Sequence, residues 1–420
     1  MPTASNPSIF LSAGEASGEH YGAALIESIR RLAPSASFFG LGGPRMEAVG
    51  LRRIVRAEDV AHMGITEILR HAPYIYAQYR RLKRSLAAEL PDLAILIDFP
   101  DVNLRLAEEL DRLNVPVVYF VSPQLWAWKK RRIVAVQKFV TRMLVIFPFE
   151  EPFYRAQSVP ADYVGHPLAD LPLPTISHAD FARQHGLDPS KQWIALLPGS
   201  RMREVALNLL EMIATVQMLP DAYEYLLPVA PTLDPRRVQA LLHPHNATLR
   251  IHLVDDARAA LHHARASIVA SGTATVEAAL IGNPFVVVYR LSALSYAIAR
   301  KVVDLPHVAM VNLIAGQRLV PELIQHDFTA ANIVRALEPL LENTRERAHQ
   351  MAGLAQIRTL LHAPAAHLGQ SSTETVVDRV ARIALSLVPS LASKSAEPAR
   401  HHHPNASGAT EPPHPLRTPS

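Results

Sequence analysis

The stretch ASIVASGTATVEAALIGNPFVVVY at residues 266–289 decides the fold class, because it has the pattern of one complete strand–helix–strand unit. Its two apolar runs, Ala266–Ala270 and Pro284–Tyr289, lack alternating polar residues, which predicts strands that are buried on both faces. A short helical pattern lies between them and ends at a Gly-Asn-Pro sequence that stops helices. Buried strands joined by helices are typical of a parallel sheet, so the stretch predicts an α/β fold.

The same pattern recurs on both sides of this unit and forms two series of apolar runs. The first series is Ser8–Ser12, Leu93–Ile97, Val115–Val121 and Met143–Phe147, and the second is Trp193–Leu197, Tyr225–Val229, Leu249–Leu253, Ala266–Ala270 and Pro284–Tyr289. The Pro-rich stretch Gly165–Pro174 separates them and has the composition of a linker. We therefore expect two open α/β domains with a ligand cleft between them, outside the carboxyl ends of the strands.

The composition excludes several classes of protein. The 420 residues include no cysteine, which rules out disulfide frameworks, thiolate metal sites and a cysteine nucleophile. Neither a signal-peptide pattern nor a run of about 18 uncharged apolar residues occurs, so we expect no export and no membrane-spanning helix. The net charge is only +4, but a pI of about 9.3 and clustered Arg and Lys fit an anionic partner such as phosphate or lipid. Residues 389–420 contain seven prolines and few large apolar groups, which predicts a disordered tail.

The first apolar run ends in a turn of small residues, SAGEASGE at residues 12–19. Gly14, Ser17 and Gly18 would let a ligand approach the backbone at the start of a helix, where anions are favoured. Glu15 is either a functional carboxylate or a helix-start residue of a tight turn. The spacing is not G-x-G-x-x-G and no G-x-x-x-x-G-K-[ST] occurs, so a nicotinamide dehydrogenase is weakly supported and a P-loop NTPase is unsupported.

Two turns in the second half predict a site for a nucleotide sugar. Ser200 and Arg201 follow a strand and begin a helix, which brings backbone N–H groups, a hydroxyl and a guanidinium together, as a diphosphate requires. Hydroxyls and a glycine also open a later helix, at Ser271, Gly272, Thr273 and Thr275. Glu277, one turn further, is placed to accept both hydroxyls of a ribose. Each turn has an alternative interpretation. Arg201 would be a surface arginine beside a capping serine, and Glu277 would be an incidental carboxylate on a capped core helix.

Asp98, Asp101 and Asn103 lie just past the buried run Leu93–Ile97. A carboxylate at the end of such a strand can act as a general base for a hydroxyl nucleophile. Helix capping is the alternative, and it suits Asp101, which precedes the predicted helix, better than it suits Asp98.

Two basic segments carry aromatic residues of the kind found at membrane interfaces. They are MGITEILRHAPYIYAQYRRLKR at residues 63–84 and QLWAWKKRR at residues 124–132. Amphipathic segments of this composition favour an anionic bilayer surface, and the candidate contact residues are Met63, Ile65, Ile68, Leu69, Trp126 and Trp128. An ordinary helix with a solvated basic face is the alternative. Nucleic acid is not expected as a partner, because the net charge is moderate and no recognition motif is present.

Taken together, the motifs resemble one family, the lipid-A-disaccharide synthases, which are glycosyltransferases of the GT-B architecture. The similar segments follow the family's order between about residues 8 and 385: AGEASGE, MGITEILRH, IDFPDVN, SPQLWAWKKRR, FPFEEPFY, VGHPL, LPGSR, SGTATVEAALIGNP and VNLIAGQRLVPELIQ. The resemblance implies two Rossmann-like, doubly wound domains that face each other across a cleft. The domain at residues 1–170 would serve the acceptor and the membrane, and the domain at 171–355 would bind the UDP-sugar. Helices at residues 356–388 would pack back on the first domain, before the tail at 389–420.

The resemblance also implies a reaction. The enzyme would transfer 2,3-diacylglucosamine from UDP-2,3-diacylglucosamine to the 6-hydroxyl of 2,3-diacylglucosamine 1-phosphate, with inversion. The products would be the β-1,6-linked lipid A disaccharide 1-phosphate and UDP, formed without a metal or another cofactor. Asp98 would take the acceptor proton, Glu15 would be an alternative base, and Arg201 would stabilise the departing UDP. The other predicted substrate contacts are Gly14, Ser17, Gly18, Asn103, Ser200, Ser271, Gly272, Thr273, Thr275, Glu277, Asn312, Glu322 and Gln325.

The acyl chains of both substrates imply a cytoplasmic enzyme that binds peripherally to the phospholipid surface of the inner membrane. The family likeness also suggests a homodimer. Two other classes of protein remain open on the residues alone. One is another two-domain transferase or epimerase that uses UDP-N-acetylglucosamine and needs no lipid-facing surface, and the other is a non-catalytic, two-lobed ligand-binding protein.

Overall fold

The computed structural model describes residues 6–61, 65–128, 130–243, 249–291, 296, 305–362 and 374–388. The described chain forms two parallel β-sheets with helices on their faces. The predicted α/β fold with two successive domains is therefore confirmed. Met63 and the predicted disordered tail at 389–420 lie outside the described residues, as do the side chains of Ile65, Ile68 and Leu69.

The first sheet has the strand order β3-β2-β1-β4-β5-β6-β7, and every pairing is parallel. Its strands are β1 (Ser8–Ala13), β2 (Ser37–Gly42), β3 (Leu51–Arg56), β4 (Leu93–Ile97), β5 (Val117–Phe120), β6 (Arg142–Val145) and β7 (Ala161–Tyr163). Its helices are α1 (Ala16–Leu32), α2 (Pro44–Ala48), α3 (Glu58–Ala61), α4 (Ile65–Ala88), α5 (Pro100–Arg112), α6 (Ile133–Phe139) and α7 (Glu150–Ala156). The direction of winding reverses between β1 and β4, so the loops after these two strands open a crevice.

The second sheet repeats this plan with the order β10-β9-β8-β11-β12-β13. Its strands are β8 (Gln192–Leu197), β9 (Tyr223–Pro228), β10 (Ile251–Val254), β11 (Ala266–Ala270), β12 (Phe285–Tyr289) and β13 (Glu322–Ile324). The helices from this point on are α8 (His178–His185), α9 (Met202–Met218), α10 (Pro235–Leu242), α11 (Ala257–His263), α12 (Thr273–Ile281), α13 (Met310–Ala315), α14 (Ala330–Leu341), α15 (Arg345–Leu361) and α16 (Val376–Leu385). Winding reverses between β8 and β11, where a second crevice opens.

All nine predicted apolar runs correspond to observed strands, with ends that differ by a few residues. The sequence analysis missed β2, β3, β7 and β13. Strand β2 reads SFFGLG. Glycine is uncommon in strands, so the two glycines hide the apolar run that would have predicted this one. Gly40 adopts a φ of +144°, and a Cβ there would overlap the carbonyl oxygen of Leu11 on β1. The glycine is therefore required by the close approach of two strand backbones, at a point where the β2–β3 register shifts.

The C-terminal helix α16 packs on α1 of the first domain. Asp378 of α16 accepts a hydrogen bond from Ser28 Oγ at 2.6 Å and pairs with Arg31, both on α1.

One of the predicted domain limits needs correction, because the boundary between residues 355 and 356 falls inside α15. That helix packs on α12, α13 and α14 along its length, and only its end meets the first domain, where Tyr163 donates to the Leu360 carbonyl at 2.6 Å. None of the described helices is both long enough and apolar enough to cross a bilayer.

Candidate active site

A cavity of about 740 Å³ lies at the carboxyl ends of four adjacent strands, β8 to β11. It is lined by the segments that follow these strands, at residues 199, 200 and 204, at 228–231, at 255–258, and at 270–274 together with 277. This is the crevice where the winding of the second sheet reverses, which is the usual position of a ligand in open α/β sheets. The residues predicted to hold a nucleotide sugar that line the cavity are Ser200, Ser271, Gly272, Thr273 and Glu277.

Two helices begin at this cavity, and neither has a side chain that caps its first turn. The N-cap of α9 is Arg201 and the N-cap of α12 is Gly272. Uncapped first turns leave N–H groups free, and the helix dipole adds partial positive charge, so both ends suit an anion. Gly272 has a φ of +150°, and a Cβ there would meet no atom within 4 Å, so the backbone is open to an approaching ligand.

Glu204 organises the turn before α9, a role that the sequence analysis did not assign. Its carboxylate accepts the backbone N–H of Ser200 and the Arg201 guanidinium, each at 3.3 Å. The signal was present in the sequence, because a glutamate at the third position of a helix can reach back to the N–H groups that precede it, and Glu204 has that position in α9.

Glu277 lies in the second turn of α12 and is partly buried. Burial raises the pKa of its carboxyl, and the nearby positive charge of Arg258 opposes that rise.

The prediction that Thr275 binds substrate requires a correction, because Thr275 is fully buried and its hydroxyl donates to the Gly272 carbonyl at 2.7 Å. It closes the first turn of the helix and does not face the cavity.

On the opposite side of the cleft, Asp98 and Phe99 connect β4 to α5 in a conformation that is rare for residues with side chains. Their φ angles are +46° and +50°. The Asp98 carbonyl is fixed by hydrogen bonds from the Tyr119 hydroxyl at 2.6 Å and from Asn103 Nδ2 at 2.7 Å. A Cβ on Gly14 would overlap the Phe99 ring, which explains the glycine at that position. Each such residue costs on the order of 1–3 kcal/mol, and strained residues of this kind concentrate at functional sites.

The environment of the Asp98 side chain suits a proton acceptor. Burial raises the pKa of its carboxyl to about 6, and the negative charge of Glu15 adds to the rise. Glu15 itself is exposed at the N-cap position of α1. A carboxyl with a pKa near 6 is largely ionised at neutral pH and is still a useful base.

Two predictions about the Asp98 loop need correction. Asn103 is fully buried, and its amide group bonds only within the protein: Nδ2 donates to the carbonyls of Ser12, Ile97 and Asp98, and Oδ1 accepts from Ser12 Oγ at 2.6 Å. It therefore holds the loop and is not free to bind substrate. Asp101 is not an N-cap, because α5 begins at Pro100 after Phe99, and its carboxylate pairs with Arg132.

Gly14, Ser17 and Gly18 differ in their surroundings. Gly14 is buried under Phe99, and Gly18 is buried where a Cβ would be in ordinary van der Waals contact with Ala13 and Ile97 at 3.6 Å. Ser17 is exposed in the first turn of α1. Of the three, Ser17 alone has a side chain available to a ligand.

The two halves of the site meet across the cleft. Arg201 Nη2 of the second domain lies 4.0 Å from Glu15 Oε2 of the first. On α1, burial raises the pKa of the Tyr21 phenol to about 12, and the negative charges of Glu277 and Asp98 add to the rise. Tyr21 was not predicted, although it lies one helical turn after Gly18. These interactions connect Asp98, Arg201 and Glu277 across one cleft; they are the residues predicted to act as base, to stabilise the leaving group and to bind the ribose.

Asn312, Glu322 and Gln325 were predicted to line the cleft, and the structure engages all three internally. Asn312 is fully buried between Val320 and Glu322. Glu322 accepts the backbone N–H groups of Val308 and Ala309 before α13, and Gln325 forms two hydrogen bonds with the backbone of Leu291. All three side chains thus support the neighbouring loops, and their role as substrate contacts stays a prediction.

The loop after β5 carries the two tryptophans that were predicted to contact acyl chains. Trp126 is partly buried and donates its indole N–H to Glu150 Oε1 at 3.1 Å, so it is held by the protein itself. Glu150 also accepts from the Ser122 hydroxyl at 2.6 Å and the Phe147 N–H at 3.1 Å, while burial raises the pKa of its carboxyl to about 7. Trp128 is 40% exposed and is the better candidate for an apolar ligand.

Within the described ranges, no group of three or more His, Asp or Glu residues is arranged to hold a metal ion.

Known protein structures share the fold. The calicheamicin glycosyltransferase CalG4 matches 94% of this chain and all of its own, with a TM-score of 0.57 and 16% identity. A UDP-N-acetylglucosamine 2-epimerase from Listeria monocytogenes matches 83% of this chain and 91% of its own, with a TM-score of 0.54 and 12% identity. These similarities establish the two-domain fold of GT-B glycosyltransferases and related epimerases.

Sequence relatives identify the family. The family model described as lipid-A-disaccharide synthetase matches residues 9–375. A lipid-A-disaccharide synthase of Acidobacterium capsulatum is 64% identical over 372 residues, which cover 86% of this chain and 93% of that protein. The synthase of Koribacter versatilis is 47% identical over 381 residues, covering 90% of this chain and 98% of its own. The resemblance inferred from the motifs is thus confirmed, and the chain belongs to the lipid-A-disaccharide synthase family of glycosyltransferases.

Proposed function

We propose that this chain transfers 2,3-diacylglucosamine from UDP to the 6-hydroxyl of 2,3-diacylglucosamine 1-phosphate, with Asp98 as the base. The observation that carries the proposal is a contact between the two domains beside the cavity: burial and the charge of Glu15 raise the pKa of Asp98 to about 6, and Glu15 lies 4.0 Å from Arg201, the N-cap of a helix that begins at the cavity. A base and a leaving-group site that face each other are what a direct displacement at a sugar carbon requires.

The second domain would bind the UDP part of the donor. The diphosphate would lie between the first turns of α9 and α12, with Ser200 and Arg201 beside it. Glu277 would accept the ribose hydroxyls, because it is the carboxylate on α12 that lines the cavity one turn from the phosphate-binding end. The cavity of about 740 Å³ has the volume of a site for a ligand of this size.

The chemical step would be a single displacement. Asp98 takes the proton from the 6-hydroxyl as its oxygen forms a bond to the anomeric carbon, and the bond from that carbon to the UDP oxygen breaks on the opposite face. UDP leaves with the electron pair, so negative charge develops beside Arg201 and the two helix ends, which stabilise it. Glu15 would orient Arg201 and, through its charge, keep Asp98 basic.

Substitution of Asp98 by Asn tests the proposal. We expect a loss of kcat of about 10²–10⁴-fold, because the amide cannot accept the proton. Calorimetry should show unchanged affinity for UDP, since the UDP site lies in the other domain. Asp101→Asn in the first turn of the following helix, α5, is the matched control and should keep near-normal turnover. An Asp98→Asn enzyme with kcat within a few-fold of wild type would remove Asp98 as the base.

The need for an acceptor distinguishes a transferase from an epimerase. A UDP-N-acetylglucosamine 2-epimerase has a similar fold. An epimerase, however, does not release UDP in response to a second sugar. We expect UDP release to depend on 2,3-diacylglucosamine 1-phosphate, and release that is independent of any acceptor would favour the alternative.

Contact with an anionic membrane surface is the second part of the proposal. Tyr74 and Tyr76 of α4 are 43% and 60% exposed, and Arg80, Arg81 and Arg84 of the same helix are exposed as well. Acylated substrates would reach the cleft from such a surface. The predicted homodimer stays a prediction.

A further inference from the structure

The turn at residues 198–201, between β8 and α9, is held through its carbonyl groups. Asn208 Nδ2 donates to the Pro198 carbonyl at 2.8 Å, and the Thr232 hydroxyl donates to the Ser200 carbonyl at 2.7 Å. Asn208 is fully buried, so its side chain is a fixed support. Two side chains that do not belong to the turn therefore hold it from outside.

Glu204 folds its carboxylate over the same turn. It accepts the Ser200 N–H and the Arg201 guanidinium, each at 3.3 Å, and its side chain lines the cavity. Gly199 has a φ of +132°, and a Cβ there would lie 2.8 Å from Glu204 Oε2, so the carboxylate lies directly against the backbone of the turn. A backbone N–H beside a guanidinium is also the set of donors that the proposed diphosphate needs. The carboxylate therefore takes up hydrogen-bond donors that an anionic ligand would use.

Among the described residues that line the cavity, carboxylates outnumber cations. The charged residues of this wall are Glu204, Asp255, Asp256, Arg258 and Glu277. Arg258, the arginine of the wall, donates to the linker carbonyls of Pro172 at 2.8 Å and Leu171 at 3.4 Å, so its printed hydrogen bonds go to the backbone of the linker. An anionic ligand therefore meets more negative than positive charge along this wall.

Arg201 lies beside the cavity and is shared between two carboxylates. Its Nη1 is 3.3 Å from Glu204, and its Nη2 is 4.0 Å from Glu15 of the first domain. The charge of the guanidinium is thus offset by the protein itself, and a diphosphate can use it fully only if a carboxylate moves away. Glu204 is suited to this exchange, because the ligand would replace both of its hydrogen bonds, to the Ser200 N–H and to the guanidinium.

We propose that Glu204 is an internal competitor of the diphosphate: its carboxylate holds the Ser200 N–H and the Arg201 guanidinium until the diphosphate of the donor displaces it. The inference rests on the proposed position of the diphosphate beside these residues. The exchange replaces one anion by another, so the donors stay satisfied and the turn keeps its shape. After the sugar is transferred, the returning carboxylate competes with UDP and favours its release.

Substitution of Glu204 by Gln tests the proposal, with UDP and uridine as the ligands in calorimetry. The amide oxygen can still accept the Ser200 N–H, but the charge is lost and the hydrogen bonds to the turn are weaker. We therefore expect UDP to bind about tenfold more tightly than to wild type. Uridine, which has no phosphate, should bind equally well to both proteins. In the transferase assay, the inhibition constant of UDP should fall by the same factor as its dissociation constant.

Glu338→Gln is the matched control. Glu338 is exposed on α14 of the same domain and does not line the cavity, so removal of its charge should change neither affinity. Equal tightening of UDP binding in the two variants would mean that total charge governs the binding, which would overturn the proposal. A Glu204 that only supports the turn would give the opposite of the expected result, because its replacement would weaken UDP binding.

Arg201→Ala separates this inference from the proposed function. If that variant binds UDP as tightly as wild type, the diphosphate does not lie beside this turn, and the proposed donor site and the inference fail together. If Arg201→Ala weakens UDP binding and Glu204→Gln does not tighten it, the inference alone is overturned. Tighter binding of uridine in Glu204→Gln would also overturn it, because the effect would not depend on phosphate. Weaker UDP binding in Arg201→Ala, with tighter UDP binding and unchanged uridine binding in Glu204→Gln, supports the proposal.

Discussion

At the scale of single residues, Asp98 shows how conformation and charge combine. Its position after a strand was visible in the sequence, but its φ of +46° depends on Tyr119 and Asn103, which hold its carbonyl from other elements. Burial together with the Glu15 charge raises the pKa of the carboxyl to about 6. Strain and a shifted pKa at one residue are typical of a catalytic site.

The pH dependence of the reaction follows from this pKa. The base must be unprotonated, so we expect kcat/KM to rise about tenfold per pH unit below pH 6 and to level off above it. Replacing Glu15 by Gln removes a negative charge, which should lower the Asp98 pKa and move the midpoint to a lower pH. Glu19→Gln on the same helix is the control and should leave the midpoint in place. A midpoint that stays fixed in Glu15→Gln would contradict the assignment.

At the scale of elements, α16 illustrates a helix whose position the local sequence does not reveal. Its amphipathic pattern indicates a buried face, with Val376, Val380, Ala381 and Ala384 inside. The partner of that face is α1, more than 340 residues earlier in the chain, and the bond between Ser28 and Asp378 spans a sequence separation of 350. Burial of this face holds α16 against α1, whose N-cap is Glu15 and whose first turn carries Ser17.

Val380→Asp tests the importance of this packing. Val380 is completely buried, so a carboxylate there would cost about 3 kcal/mol or more unless the helix detaches. We expect a lower Tm for the first calorimetric transition and a loss of activity, because α1 loses its support. Ser386→Asp at an exposed position of the same segment is the control and should change neither. Normal Tm and activity in Val380→Asp would show that α16 does not stabilise the first domain.

At the scale of the whole molecule, the net charge of +4 is too small to direct the chain to a membrane by itself. The proposed contact depends instead on where the cations lie, and α4 groups exposed arginines with exposed tyrosines. Its other face packs on the first sheet through Leu82 and Leu86. A patch with this composition binds anionic lipid through both charge and aromatic insertion.

Co-sedimentation with vesicles tests the patch. Each arginine near an anionic surface contributes about 1 kcal/mol, so Arg80→Gln, Arg81→Gln and Arg84→Gln together should reduce binding to phosphatidylglycerol vesicles by roughly 100-fold. Arg236→Gln, Arg237→Gln and Arg335→Gln remove the same charge from exposed positions of the second domain and should have little effect. Equal losses in the two triple variants would mean that total charge, and not the α4 surface, governs binding.

The sequence by itself determined the α/β class, nine of the strands and the cavity residues of the second domain, such as Ser200 and Glu277. It could do so because apolar runs and helix starts are local patterns, and because the carboxyl ends of parallel strands meet at one edge. Only the tertiary structure decided which polar residues are free, since Asn103, Asn312 and Gln325 bond to backbone groups brought near by folding. It also decided the contact between Glu15 and Arg201 and the link from Arg258 to the linker. Such contacts depend on how two separately wound sheets are placed against each other, and no local pattern in the chain encodes that placement.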